Sequence, residues 1–171
     1  RPAISGALWW NDPAQSIAWG DSGWRDELDQ QRRIGFDLLW LCYTAGSVAS
    51  DESSAALRRL LDLCAKRKVR VIVDCGGTGD WYATLDPKAE LEVCRGTIQS
   101  VARCIGSHPA FYGWYVPHEI YMTWGAMTSY INELYSALVT MCRQAVDRPV
   151  TVSPFFILDR DGVFGDFRYN E

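Results

Sequence analysis

Apolar residues gather in five short stretches, at positions 4–10, 36–43, 69–74, 111–116 and 150–156. After each of the first four comes a polar tip, then a longer segment whose apolar residues return every third or fourth position. A short apolar run, a polar tip and an amphipathic helix, repeated, is the pattern of βα units and a parallel sheet. The stretches begin between 32 and 42 residues apart, about the length of one such unit.

The helices can be read from their stripes. Leu57, Leu60, Leu61 and Cys64 lie at i, i+3, i+4 and i+7, a single buried face. Leu91, Cys94, Ile98, Val101 and Ile105 make the next one. Asp86 stands where it can cap that helix, Pro87 fits its first turn, and Gly106 is placed to end it. Ile131, Leu134, Tyr135, Leu138, Cys142 and Ala145 form the inner face of a later helix. The first helix, expected over residues 24–34 with Asp21 or Ser22 as its cap and Gly35 as its stop, has the faintest stripe. Residues 157–171 hold no long helical pattern, so residues 1–171 are expected to form one domain, incomplete at its C-terminal side.

Composition narrows the classes. Apolar residues make up 48% and charged residues 22%, the balance of a folded globular chain and not of a disordered one. The net charge is -4, and basic residues come singly or in short runs such as Arg58-Arg59, so the footprint of a nucleic-acid binder is missing. No apolar run approaches the roughly 18 residues of a membrane span. The sequence opens on Arg1 and not on Met, so a processed or excised chain is expected, and no basic-then-apolar signal segment is read at its start. It leaves a secreted or periplasmic location after signal removal open. Six cysteines stand at irregular spacings, mostly inside apolar segments, and are expected to be reduced packing residues. Cys94 and Cys104 lie on one helix about 15 Å apart, too far to bond. No Cys-x-x-Cys pair occurs, so no Cys-based metal site, and no cofactor, is expected.

Two architectures fit alternating strands and helices. A doubly wound sheet would carry a Gly-x-Gly-x-x-Gly turn after its first strand; here that strand runs into Trp9-Trp10-Asn11-Asp12-Pro13. In a (β/α)8 barrel the site is built from the loops after the strands. Trp10, Tyr43, Asp74, Glu119 and Ser153 mark five successive strand ends, which favours the N-terminal portion of a TIM-type barrel with helices outside a parallel sheet.

The richest segment is Phe111-Tyr112-Gly113-Trp114-Tyr115-Val116-Pro117-His118-Glu119, a buried strand leading into a carboxylate. At an apolar, aromatic-rich mouth, burial would raise the carboxyl pKa and keep a proton available for a leaving-group oxygen. A rim Glu paired with Arg or Lys is the plainer alternative. Asp74 is a second carboxylate at the same mouth, with a hydrogen bond to the N–H groups of the Gly-rich loop as its structural role. Asp159 and Asp161 are weaker candidates. Trp10, Tyr43, Trp81, Tyr115, His118, Tyr121 and Trp124 are candidates for holding a sugar, because aromatic faces suit the apolar faces of pyranose rings. Other motifs fail. His118-Glu119-Ile120-Tyr121-Met122 lacks the second His of a zincin helix, and Gly20-Asp21-Ser22-Gly23 is better read as a helix start. Gly76-Gly77-Thr78-Gly79 is followed by Asp80 and Trp81 and not by the Lys of a phosphate loop.

The chain resembles the domain of unknown function 4434 family, whose members resemble the N-terminal half of glycoside-hydrolase barrels. The resemblance rests on Trp24-Arg25-x-Glu27-Leu28 leading to Gly35-Phe36-Asp37, on Val69-x-Val71-Ile72-Val73, and above all on His108-Pro109-x-Phe111-Tyr112-Gly113-Trp114-Tyr115-Val116-Pro117-x-Glu119. It implies that Glu119 occupies the general acid/base position after strand four of clan A hydrolases, with His118 where those enzymes usually carry Asn. The nucleophile of that clan, on strand seven, has no counterpart in these residues. The implied activity is hydrolysis of O-glycosidic bonds in an oligosaccharide or polysaccharide, completed by the remaining barrel strands of a parent chain. A glycan-binding or scaffold barrel without chemistry, or an enzyme of another class on the same fold, stands as the alternative.

Overall fold

β-branched and aromatic residues dominate the apolar stretches, and they form strands. The computed structural model describes residues 5–120 and 125–153. Among them, β1 (Gly6–Trp10), β2 (Leu38–Cys42), β3 (Arg70–Asp74), β4 (Phe111–Val116) and β5 (Val150–Val152) make one sheet in the order β1-β2-β3-β4-β5. Every pairing is parallel. The helices are α1 (Pro13–Arg33), α2 (Thr44–Ser47), α3 (Asp51–Lys66), α4 (Trp81–Thr84), α5 (Pro87–Ile105) and α6 (Ala126–Ala145). Each strand lies beside its sequence neighbour and the order never reverses, as in a barrel and unlike the split order of a doubly wound sheet.

The two faces of the sheet are packed unequally. On one, Leu39, Leu41, Val71, Val73, Phe111, Trp114 and Val116 join Leu28, Leu57, Leu60, Leu61, Ile98, Val101, Leu134 and Leu138 from the helices in one large core. On the other, Cys42, Ile72 and Tyr115 form a small cluster with Leu38 and Trp40, and among the described residues no helix contributes to it. Trp40 meets Tyr115 edge to face at 4.8 Å between ring centroids.

β4 departs from strict alternation. Val71 pairs with Phe111 while Ile72 pairs with Gly113, so Tyr112 is an extra residue in the ladder. The bulge shifts the phase by one. Phe111, Trp114 and Val116 therefore share the helix-covered face, and Tyr115 turns to the other. Tyr112 lies under the Arg70 guanidinium, 4.8 Å from its ring centroid.

Helix ends follow local chemistry. The Asp86 side chain accepts from the N–H groups of Lys88 and Ala89, with Pro87 next in the chain, as the sequence indicated. Ser50 caps α3 by accepting from Ser53 N–H. Gly106 does close α5, but in right-handed geometry (φ -56°). Its need is close approach: a Cβ there would stand 2.4 Å from the Ala102 carbonyl oxygen and 2.9 Å from Val146. The first helix starts well before residue 24. Asp12 caps it by accepting from Ala14 N–H, Pro13 fills its first turn, and a break at Gly20 precedes Asp21. Tertiary contacts hold this extra segment: Trp9, Trp19 and Trp24 meet one another at 5.4 Å between centroids, and the Trp24 indole donates to Ser16 Oγ across the break. All six cysteines are free.

Candidate functional site

Strand C-termini converge on a cleft of about 280 Å³. Its lining includes Trp10 from the end of β1, Tyr43 after β2, Asp74 ending β3, the loop glycines 76, 77 and 79, and Pro117, His118 and Glu119 after β4. Trp81, Tyr115 and Cys42 line it as well. Seven residues singled out from the sequence thus face one cleft; Tyr121, Trp124, Asp159 and Asp161 lie outside the described residues, as do positions 154–156 of the fifth apolar stretch.

These residues are not equivalent. Trp10 and Tyr43 are open, at 59% and 62% exposure, with ring centroids 4.9 Å apart. Together they present a broad aromatic surface beside the cleft. Tyr43 holds a left-handed backbone (φ 63°), uncommon for a bulky residue and costly enough to need support. Support comes from Asp74, whose carboxylate accepts from Thr44 N–H at 3.3 Å and from Gly76 N–H at 3.1 Å. The Asp74 N–H in turn donates to Thr44 Oγ1. Asp74 is 4% exposed, and burial pushes its carboxyl above the ordinary value despite those N–H donors. The buried carboxylate of this mouth is Asp74, and its oxygens are engaged in joining the loops after β2 and β3. Glu119 is exposed to the cleft, contrary to the expectation of a desolvated side chain.

Tyr115 and His118 also differ from expectation. Tyr115 is 2% exposed, with its hydroxyl 2.7 Å from Ser153 Oγ. His118 is 1% exposed and turned into the core, where Nε2 stands 2.7 Å from Glu90 Oε1. Neither offers an open face. Trp81 stacks on Tyr130 with 2° between ring planes and meets the His118 ring at 5.4 Å.

Beneath the cleft lies a polar cluster that the sequence reading passed over. Glu90 is 1% exposed and accepts from the Thr78 N–H, the Thr78 hydroxyl and His118. Cys94, one turn along α5, donates to the Gly76 carbonyl at 3.4 Å. The Glu90 oxygen, Cys94 sulfur and a His118 nitrogen all lie within 4.8 Å of one another. Burial works against a charged His118, yet its hydrogen bonding with Cys94 and Glu90 holds the imidazole above its ordinary value. The Cys75 thiol beside Cys94, opposed by burial and aided by His118, brings Cys94 down to about 7. A signal existed: Glu90 is in phase with Cys94, Ile98, Val101 and Ile105, so a carboxylate falls on the apolar face of α5. The absence of a Cys-x-x-Cys pair had excluded only donors close in sequence, whereas the fold recruits His118 from β4.

Residues 4–169 match the family described as "Domain of unknown function (DUF4434)". No curated protein matches the sequence. Among solved structures, the chain is similar to a candidate alpha-L-fucosidase from Bacteroides thetaiotaomicron, with TM-score 0.69 and 20% identity over 88% of this chain and 51% of that one. It is similar to the endo-beta-1,4-mannanase from Thermotoga petrophila, with TM-score 0.63 and 10% identity over 92% and 43%. A third is the GH5_18 protein from Streptomyces cattleya solved with GlcNAc, with TM-score 0.53 and 16% identity over 90% and 45%. The chain spans about half the length of these proteins or less. At such identities the likeness establishes the fold, and the five parallel strands are the N-terminal portion of a TIM-type barrel.

Proposed function

The chain belongs to the DUF4434 family, and from that membership and the cleft we propose a carbohydrate-active protein that acts on O-glycosidic bonds, with Glu119 as general acid/base. One observation carries the reading: an open Trp10–Tyr43 aromatic surface borders the same cleft as Glu119. Flat apolar rings suit the apolar faces of a pyranose, and a carboxylic acid beside a bound sugar can protonate the leaving-group oxygen. The names of the similar structures, a fucosidase and a mannanase among them, agree with a sugar ligand.

Glycoside hydrolysis needs a second carboxyl group, about 5–5.5 Å away for retention or about 6.5–9.5 Å for inversion. Asp74, the other carboxylate named from the sequence, has its oxygens committed to Thr44 and Gly76, and its part here is to join the loops after β2 and β3, the first of which carries Tyr43. The partner carboxylate and the rest of the barrel would come from the parent chain, which residues 1–171 join as one domain. Tyr121 and Trp124 extend the sugar-binding set, and no cofactor is required.

In the full-length protein, Glu119→Gln should lower turnover of aryl glycosides or oligosaccharides by at least about 100-fold while sparing binding. Trp10→Ala should weaken binding itself. Undiminished turnover in the Gln variant, measured by reducing-sugar release, would remove Glu119 from the chemistry. A second reading, a glycan-binding barrel without catalysis, is favoured by the exposure of Glu119 and the engagement of Asp74. It expects no turnover in either form, with binding still lost in Trp10→Ala.

A further inference from the structure

Glu90, Cys94 and His118 are each 1% exposed or less, beneath a loop that closes over them so tightly that a Cβ on Gly77 would stand 2.9 Å from Glu90 Oε1. A carboxylate, an imidazole and a thiol buried together are costly unless each finds a partner. The protein alone does not complete the set: His118 Nδ1 is buried without a hydrogen-bond partner.

We propose that Glu90, Cys94 and His118 bind one zinc ion. The donors themselves argue for that cation. Sulfur, imidazole nitrogen and carboxylate oxygen are zinc's three ligand types, whereas calcium and magnesium take oxygen donors. The three ligand atoms already lie within 4.8 Å of one another, a spread that small side-chain adjustments bring to bonding distance of one ion. Glu90 and Cys94 sit at i and i+4, on one face of α5, and His118 arrives from the tip of β4, so secondary structure holds all three. Their surroundings resemble the outer shell of a metal site. Thr78 orients the Glu90 carboxylate through two hydrogen bonds, and the Tyr135 hydroxyl donates to the His118 carbonyl. Three protein ligands leave a fourth position, the count of zinc sites that keep one open. Gly76, Gly77 and His118 also line the cleft, so the cluster lies directly beneath the cleft wall. The inference is independent of the glycosidic reading.

The test uses full-length protein, reduced and stripped by a chelator, then titrated with zinc and with cobalt(II). One equivalent of either should bind, counted by native mass spectrometry, and cobalt should show a thiolate-to-metal charge-transfer band. Cys94→Ser and His118→Ala should each weaken binding by at least about 10–100-fold, the loss that an outer-shell partner alone can cause. Cys104→Ser, ten residues and about 15 Å further along α5, should bind as the parent does. Should a variant fail to fold by circular dichroism, peptide mapping of the parent protein decides: zinc should slow alkylation of Cys94 and leave Cys104 unchanged. Folded protein that takes up neither ion, binding undiminished in Cys94→Ser, or zinc that leaves Cys94 alkylation unaltered would each overturn the assignment.

Discussion

The same five strands face two different environments. Toward the helices, Leu39, Leu41, Val71, Val73, Trp114 and Val116 meet three long apolar stripes, and nearly all are shielded from water. On the opposite face, among the described residues, Cys42, Ile72 and Tyr115 pack with Leu38 and Trp40, and the flanking Leu8 and Val152 remain 45% and 41% exposed. The sequence alternates equally well on both faces, so alternation alone does not say how much each contributes. Stability follows the number of packed neighbours, and these lie on the helical side. The cleft is lined by residues at and just beyond the strand C-termini. One face holds the molecule together and the other is left to present side chains.

Paired truncations can break this comparison. Leu60→Ala, in the large core, should cost about 3–5 kcal/mol in urea unfolding, whereas Ile72→Ala, in the small cluster, should fall near about 2 kcal/mol. Equal losses would mean that the small cluster is packed as tightly as the large one.

A subtler distinction lies in Asp74. Its folded-state pKa is raised, so the folded chain keeps a proton that the unfolded chain releases from about pH 3.8 upward. The Asp74 contribution to stability therefore declines as pH rises through the folded value, and it is most favourable below the unfolded one. Asp74→Asn should flatten that decline, read from urea midpoints at a series of pH values. An unchanged pH slope would show that Asp74 does not titrate across this range.

The smallest effect concerns thiol accessibility. Burial pushes both Cys42 and Cys64 up to about 12, but Cys42 lines the cleft and Cys64 sits wholly inside the helical core. In native protein, alkylation should reach half-buried Cys104 first, then Cys42, and Cys64 last; in denaturant all six should react without prior reduction. Cys64 reacting before Cys42 would contradict the ranking of the two faces.

Much of the architecture was legible because parallel strands and amphipathic helices leave regular periods. Leu57, Leu60, Leu61 and Cys64 fell on the buried face of α3, and Asp86-Pro87 marked the start of α5. What escaped had no period to read. The opening turns of α1 are held by Trp9, Trp19 and Trp24 meeting in space, and α2 and α4 are single turns shaped by their loops. The cleft was legible at its tips, since Trp10, Tyr43, Asp74 and Glu119 end consecutive strands. Glu90 escaped because a charged residue does not register in an apolar stripe, and only its phase with Cys94 points to the buried face. His118 was read as a ligand-facing residue because position alone does not reveal which way a side chain turns.

The extra residue at Tyr112 makes the upper part of β4 a matter of parity. Were β4 to pair without the bulge, with Tyr112 taking the place opposite Ile72, the assignment of every position above it would reverse. Trp114 and Val116 would be sent to the sparsely filled side, and the phenol oxygen of Tyr115 would enter the helical layer without Ser153. The segment running to Glu119 would set out with the opposite handedness of in and out. A single inserted residue, far from the cleft, thus acts as the switch between two mirror assignments of the same letters.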